Sequence, residues 1–445
     1  MTVPGWPEEA VLWESVAATL EEQIVPALNG PARAVAHQLS GLARYALTRG
    51  EDPTPVRARE VAQILGLGAD QPWPAVATAA SQLLSADRAT GSSGPLAAEV
   101  RAALVRFVTE DVERASPLAQ TFARHGVTSI GEEPSSPADA SALETWLAPR
   151  VGSPIRAVHV HVMSGGHSRR MLDVRVETDQ GVLPFVVRVE QGGVFGTEGG
   201  SEARIMDALG RAGVPVAPVR WVEETGKVLG QPFFVMDRVE GSHDVDDESL
   251  HAFGLALSEL HRMPPGPVAA AFPVAPRSAE EGVSLAIDHW EEVYRRVTPD
   301  PVPLLDDAAA WLRGHLRPTA PLAVVHGDAG PGNFLHRHGK VVAFTDWEFG
   351  HLGDPAEDWV YLAAMRGTRI MGLDQWKVWL RERIGVGYDE ATWRAWTVFN
   401  LFKGACANIT ALRVFEDGSS LGPNLLAVGT ALHWRMVRQI QEAIA

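Results

Sequence analysis

His326, Asp328 and Asn333 stand at the spacing His-x-Asp-x-x-x-x-Asn, and Asp346 follows a short apolar run in the same segment, Val324 to Asp358. In this pattern Asp328 can take the proton of an acceptor hydroxyl. Asn333 and Asp346 can lend one neutral and one charged oxygen to a hard cation such as Mg²⁺. Phosphoryl transfer makes that demand, because its catalysis is mostly positioning and electrostatics. Any one of these residues beside Ala329-Gly330-Pro331-Gly332 reads as a turn former. The set in order, closed by Gly353-Asp354-Pro355, does not.

Elements that could hold such a set are legible on both sides. The run Val341-Val342-Ala343-Phe344 predicts a buried strand presenting Asp346, paired with a strand around Phe334-Leu335. Upstream, Val158 to Met163, Met171 to Thr178 and Leu183 to Glu190 predict three strands joined by hairpin-like turns. A helix over Ser201 to Ala212 and strands near Val216 to Glu223 and Phe233 to Val239 complete a five-stranded lobe. From Gly241 the chain reads as mostly helical. This is an α+β bilobal pattern: an N-lobe over 139–240 and a helical C-lobe over 241–445.

Residues 1–125 predict an all-helical accessory domain. Leu12, Val16, Leu20 and Ile24 recur every four residues as one helix face. Helices are expected at Ala32 to Arg49, Arg57 to Leu65, Pro74 to Leu84 and Pro95 to Arg114. No nucleophile–base pair or metal spacing occurs there, which suits docking to a protein partner or self-association. Residues 126–138, rich in Gly, Ser, Glu and Pro, read as a linker.

The 445 residues carry a formal net charge of -16, which argues against a general nucleic-acid binder. A single cysteine, Cys406, excludes an internal disulfide, and its apolar surroundings suit a core position. Met1 to Glu9 has no apolar signal core, and no run is long enough for a membrane span. A soluble cytoplasmic protein with no membrane association is the expectation.

His-Gly-Asp at 326–328, Asn333, Asp-Trp-Glu at 346–348 and Gly-Asp-Pro at 353–355 resemble the aminoglycoside phosphotransferase and choline kinase group of small-molecule kinases. Within it the resemblance is strongest to the phosphotransferase domain fused to some acyl-CoA dehydrogenases. Ser164-Gly165-Gly166-His167-Ser168 and Pro232-Phe233-Phe234-Val235-Met236 share that character, and the resemblance covers about residues 139–445. Residues 6–122 resemble a small helical family of unknown function that accompanies such phosphotransferases.

The resemblance implies a protein-kinase-like bilobal fold, with ATP and Mg²⁺ as donor and cofactor and a small-molecule hydroxyl as acceptor. It implies that Gly165, Gly166, His167 and Ser168 turn over the phosphates, where glycines allow close backbone approach. The chain has only four lysines, and none lies in the third strand. Arg188 takes the place where kinases carry a phosphate-binding lysine, with Glu202 as its expected partner and Glu198 as the rival. Met236 to Val239 would form the hinge, with the Asp237 carbonyl and the Val239 amide on the adenine. Asp358 and Trp359 would brace the catalytic loop, and Asp354 is expected to be structural.

Two stretches could line the acceptor pocket. Glu280 to Leu316 carries Asp288, Glu291, Glu292, Asp306 and Asp307, suited to a cationic acceptor. Ala363 to Phe415 carries Arg366, Arg369, Arg381, Arg383 and Arg394, suited to an anionic one. Either set could equally be a solvated helix face. The resemblance favours a hydroxyacyl compound or hydroxyacyl-CoA. An aminoglycoside-type antibiotic phosphotransferase and a nucleotide-binding regulatory scaffold with little catalysis are the alternatives.

Overall fold

Alternation along Phe185-Val186-Val187-Arg188-Val189 sends successive side chains to opposite faces of a sheet, and that two-residue period organises the N-lobe. The computed structural model describes residues 9–91, 94–125, 137–163, 169–190, 200–420 and 422–445. Strands β1 (Ile155–Val162), β2 (Arg169–Thr178), β3 (Gly181–Glu190), β4 (Val219–Glu223) and β5 (Phe233–Asp237) form one antiparallel sheet in the order β1-β2-β3-β5-β4. Phe185, Val187 and Val189 join Leu143 and Leu147 in a core on one face. Arg188, paired in register with Phe234, points from the other face. The five strands, and the antiparallel meander of the first three, match the sequence reading.

Among the described residues seventeen α-helices accompany this sheet. Before it come α1 (Glu9–Thr19), α2 (Val25–Ala27), α3 (Gly30–Thr48), α4 (Thr54–Ile64), α5 (Trp73–Thr90), α6 (Pro95–Arg114), α7 (Ser116–His125) and α8 (Pro137–Val151). Helix α9 (Ser201–Arg211) lies within the lobe. The C-lobe holds α10 (Asp247–Arg262), α11 (Ala279–Val297), α12 (Pro303–His315), α13 (Ala356–Ala364), α14 (Leu373–Trp379), α15 (Glu390–Glu416), α16 (Pro423–Ala427) and α17 (His433–Ile444). Two short two-stranded antiparallel sheets interrupt it: the hairpin of β7 (Phe334–Arg337) with β8 (Lys340–Phe344), and β6 (Ala323–Val325) with β9 (His351–Gly353), which flank that hairpin in sequence. The β6–β9 pair and helix α7 go beyond the sequence reading. Three-residue strands and a helix opening on Ser-Pro carry too little periodicity to find. Among the described residues no helix is long and apolar enough to cross a membrane.

The N-terminal helices are built into the C-lobe. Helix α5 packs along α12 and α6 along α17, so that Val76, Leu84 and Phe107 share one core with Leu304, Leu312 and Val437. At this junction Asp307 is fully buried and grips two arginines: Arg88 Nε at 2.9 Å and Arg101 Nη2 at 2.9 Å. Leu12 and Val16 on α1, and Ile24 in the short helical segment that follows it, are 50%, 44% and 41% exposed; α3 is the main helix packed against α1.

Candidate active site

Asn333 immediately precedes β7, and Asp346 lies two residues beyond β8. The hairpin pairs Phe334 with Phe344, and the Thr345 amide donates to the Asn333 carbonyl at 3.0 Å. Local pairing therefore brings both candidate cation ligands to the open end of one hairpin. Asp346 adopts φ 66° and ψ 60°, a left-handed conformation that few residues other than glycine hold. That turn swings its carboxylate out of the strand line and toward the sheet of the N-lobe. Arg188 Nη2 donates to Asp346 Oδ1 at 2.6 Å, and Arg188 Nε lies 2.9 Å from Glu202 Oε2. Burial works against the Arg188 charge, but Glu202 and Asp346 outweigh it and hold the guanidinium protonated. Glu202 also accepts from the Trp347 amide at 3.2 Å.

Asp328 is buried in the loop between β6 and β7. Its Oδ2 accepts from Asn333 Nδ2 at 2.6 Å and from Arg366 Nη2, which comes from the turn after α13. Tyr361, one helix turn earlier, is pushed far above the usual tyrosine range by burial and by the Asp328 charge. Gly330 (φ 148°) makes room for the arginine: a Cβ there would stand 2.8 Å from Arg366 Cβ.

The buried His326 ring links the two halves of the site. Its Nε2 donates to the Thr345 carbonyl at 2.9 Å, while Nδ1 faces the Asp328 amide at 3.3 Å. Asp358 accepts from the His326 amide (2.9 Å), the Gly327 amide (2.8 Å) and the His261 ring (2.9 Å). Burial raises its pKa, yet the His261 and backbone hydrogen bonds prevail and bring it to about 2. Lys403 Nζ, on α15, donates to the Gly327 carbonyl at 2.6 Å and to Glu357 at 2.7 Å. Asp354 accepts from Thr319 Oγ1 (2.7 Å) and from the Ala320 and Ala356 amides (3.1 and 2.8 Å), which ties the stretch before β6 to the start of α13.

Asp328 with Asn333, and Arg188 with Glu202 and Asp346, thus form two hydrogen-bonded groups that the β7–β8 hairpin joins. Met236 and Asp237 end β5, and Val239 follows it. The Asp237 carboxylate is held by Arg220 at 2.7 and 2.6 Å. Gly165, Gly166, His167 and Ser168 lie outside the described residues, as does Glu198. Cys406 is fully buried, and burial lifts its thiol well above the usual range, which leaves it a core residue.

The sequence reading left three site residues unassigned. Arg366 was one arginine in a helical stretch, and nothing local marks it as Asp328's partner. Tyr361 and Lys403 carry no motif signal. Both acceptor stretches change meaning. Asp307 holds Arg88 and Arg101, Asp306 holds Tyr294 and Arg295, and Glu291 and Asp288 pair with Arg313. Those carboxylates are spent on joining helices. Of the arginines, Arg366 alone touches the site residues named here; Arg383 pairs with Asp247 and Arg394 holds the Ala443 carbonyl.

A cation at this site would find oxygen donors of the hard type, one carboxylate and one amide. Among the described residues no three His, Cys, Asp or Glu side chains converge as a self-sufficient metal centre. The donor set fits Mg²⁺, which keeps waters and binds through one or two carboxylates plus substrate phosphates.

Residues 159–399 match the family model described as a phosphotransferase enzyme family. Acyl-CoA dehydrogenase family member 10 of Mus musculus is 28% identical over 205 residues, 43% of this chain and 18% of that protein. Family member 11 of Gallus gallus is 27% identical over 176 residues, 36% of this chain and 22% of that one. The matched stretches span about a fifth of these relatives. A solved structure of a candidate aminoglycoside phosphotransferase from Ralstonia eutropha superposes with a TM-score of 0.51 at 20% identity. That match covers 68% of this chain and 97% of the other, and it bears on the fold alone. With a family match across more than half of its length, laid over the hairpin and loop that carry Asp328, Asn333 and Asp346, the chain belongs to the phosphotransferase enzyme family.

Proposed function

We propose that the chain transfers the γ-phosphoryl group of ATP to a hydroxyl on an acidic small molecule, a hydroxyacyl compound or hydroxyacyl-CoA. The contact between Arg366 and Asp328 carries this reading. A guanidinium at the acceptor-side carboxylate suits an anionic group near the reacting hydroxyl, since arginine grips carboxylates in a two-pronged fork. The acidic stretch that would have favoured a cationic acceptor is engaged in helix-joining ion pairs.

In this mechanism the acceptor's anionic group draws Arg366 away from Asp328. The hydroxyl then binds Asp328, which orients it and takes its proton as its oxygen bonds to the γ-phosphorus. The bond to the bridging oxygen of ADP breaks, and ADP leaves. Arg188, fixed by Glu202, faces the donor phosphates. Asn333 and Asp346 would hold Mg²⁺, which supplies positive charge against the phosphate oxygens. Met236, Asp237 and Val239 would take the adenine by backbone hydrogen bonds, and Gly165 to Ser168 would cover the phosphates.

The test is transfer of labelled γ-phosphate to hydroxy acids, their neutral amides, hydroxyacyl-CoAs, aminoglycosides and choline. Acidic acceptors should be preferred. Arg366→Gln should raise their KM by about tenfold or more while changing KM for the amides only a few fold. Labelled aminoglycoside with inert acids would overturn the acceptor class. Nucleotide binding with no transfer and no slow ATP hydrolysis would favour a scaffold.

A further inference from the structure

The peptide group that joins Gly327 to Asp328 is held at both of its polar atoms. Its carbonyl oxygen accepts from Lys403 Nζ at 2.6 Å, and its amide faces His326 Nδ1 at 3.3 Å. A peptide group is planar, so a grip at each end sets the direction in which the chain reaches the Asp328 Cα. The two preceding amides, of His326 and Gly327, go to Asp358. Three consecutive peptide groups are therefore tied down just ahead of the carboxylate. Gly327 permits the turn this needs: its φ is 80°, and a Cβ there would overlap the Phe349 carbonyl oxygen.

Of the four lysines in the chain, Lys403 alone is buried. A lysine in that position has to be paired. Its ammonium donates to Glu357 Oε1 at 2.7 Å and lies 4.7 Å from the centre of the Tyr361 ring. Glu357 Oε2 stands 3.2 Å from His351 Nε2. Burial works against the Glu357 charge, but Lys403 and His351 outweigh it and hold the carboxyl below its usual pKa. Asn400, one turn before Lys403 on α15, donates to the Glu357 carbonyl at 3.1 Å, so one helix face holds this residue by backbone and side chain. A buried ion pair is a weak source of stability, since an apolar pair of similar volume often does as well. An apolar pair could not hold the Gly327 carbonyl.

We infer that Lys403 is a positioning residue for phosphoryl transfer, holding the Gly327 carbonyl so that the Asp328 carboxylate meets the acceptor hydroxyl at the productive angle. The role rests on Asp328 taking the acceptor's proton, and it is the same for any class of acceptor. Lys403 acts through the backbone and touches neither substrate. Glu357 in turn keeps the ammonium in place. Because an oriented base matters most when the proton moves, loss of this grip falls on kcat rather than on nucleotide binding.

The full chain is assayed for transfer of labelled γ-phosphate to an accepted substrate, and each variant's urea midpoint is measured alongside. Lys403→Met should lower kcat by about 10²-fold, with the nucleotide KM within a few fold. It also leaves Glu357 buried without its cation, so the urea midpoint should fall. Lys403→Met combined with Glu357→Gln removes both charges. This double variant should regain most of the lost midpoint and keep the low kcat. A double variant with kcat restored would reduce Lys403 to a counter-ion for Glu357 and overturn the proposal. An undiminished rate in Lys403→Met, a nucleotide KM that rises as far as kcat falls, or a double variant that cannot fold would overturn it as well. Asp328→Asn separates this failure from that of the proposed reaction. Full turnover in Asp328→Asn, or a wild type that labels no acceptor, overturns both, whereas loss in Asp328→Asn beside an active Lys403→Met overturns the role of Lys403 alone.

Discussion

Arg188 Nη2 and Asp346 Oδ1 lie 2.6 Å apart, which joins the third strand of the N-lobe to the end of the β8 hairpin 158 residues later. Because Glu202 holds the other side of the guanidinium at 2.9 Å, one arginine ties the sheet, helix α9 and a candidate cation ligand together. The lobes are thereby registered before any nucleotide arrives. A buried cation between two carboxylates is costly to break, since removing it leaves like charges facing each other.

Arg188→Met should therefore cost about 3–5 kcal/mol of stability and raise the nucleotide KM. Arg188→Lys should recover part of both, because it keeps the charge and loses the fork. Thermal unfolding and nucleotide kinetics on the two variants check this. A methionine variant of wild-type stability would show the ion pair to be ornamental.

Asp328→Asn should lower kcat by about 10²–10⁴-fold while nucleotide affinity stays within a few fold. The amide preserves shape and can still accept from Asn333 and Arg366, but it cannot take a proton. Labelled-ATP turnover with an accepted substrate is the measurement. An undiminished rate would remove Asp328 from the proposed role.

At the junction of α5, α6 and α12, Asp307→Ala should destabilise the chain by about 3–5 kcal/mol, because Arg88 and Arg101 lose their shared, fully buried counter-ion. A lowered urea midpoint is expected, with turnover per folded molecule little changed. Near-wild-type stability would mean the two helices hold on by apolar packing alone.

His433 gives the chain a pH dependence with a definite sign. It is fully buried, its Nδ1 donates to the Ala405 carbonyl at 2.9 Å, and its Nε2 has no hydrogen-bond partner among the described residues. Burial lowers its pKa from 6.5 to about 4. Above pH 6.5 both folded and unfolded chains carry it neutral. Between 6.5 and about 4 the unfolded chain binds the proton first, so stability falls as pH drops, by roughly 3 kcal/mol across the window. His433→Asn, which keeps a donor near Nδ1, should flatten that slope in urea titrations at pH 7, 6 and 5. A slope identical to wild type would remove His433 as its source.

Much of the fold was legible because its signals are local. The apolar run Phe185 to Val189 marked the third strand, and the family resemblance made Arg188 within it, with Glu202 as partner, the expected phosphate-side pair. The order of His326, Asp328, Asn333 and Asp346 announced a loop and hairpin, since β7 and β8 are sequence neighbours that must return upon each other. Legibility stopped where partners are distant. Arg366 looked like any helix-surface arginine until α13 laid it on Asp328, and Lys403 reaches the Gly327 carbonyl across 76 residues. The α1 stripe has the period of a buried face, yet a period says only that side chains share a side.

The order and chemistry of Asp328, Asn333 and Asp346, the meander of the first three strands and the arginine in the third of them were determined by the sequence itself, through periods of two and 3.6 residues and fixed turn spacings. Tertiary structure decided which charges meet. It turned Asp306 and Asp307 inward onto Tyr294, Arg88 and Arg101, and brought Arg366 to Asp328. Local periodicity orients a side chain on its own element, whereas a partner is chosen by the packing of elements far apart in the chain.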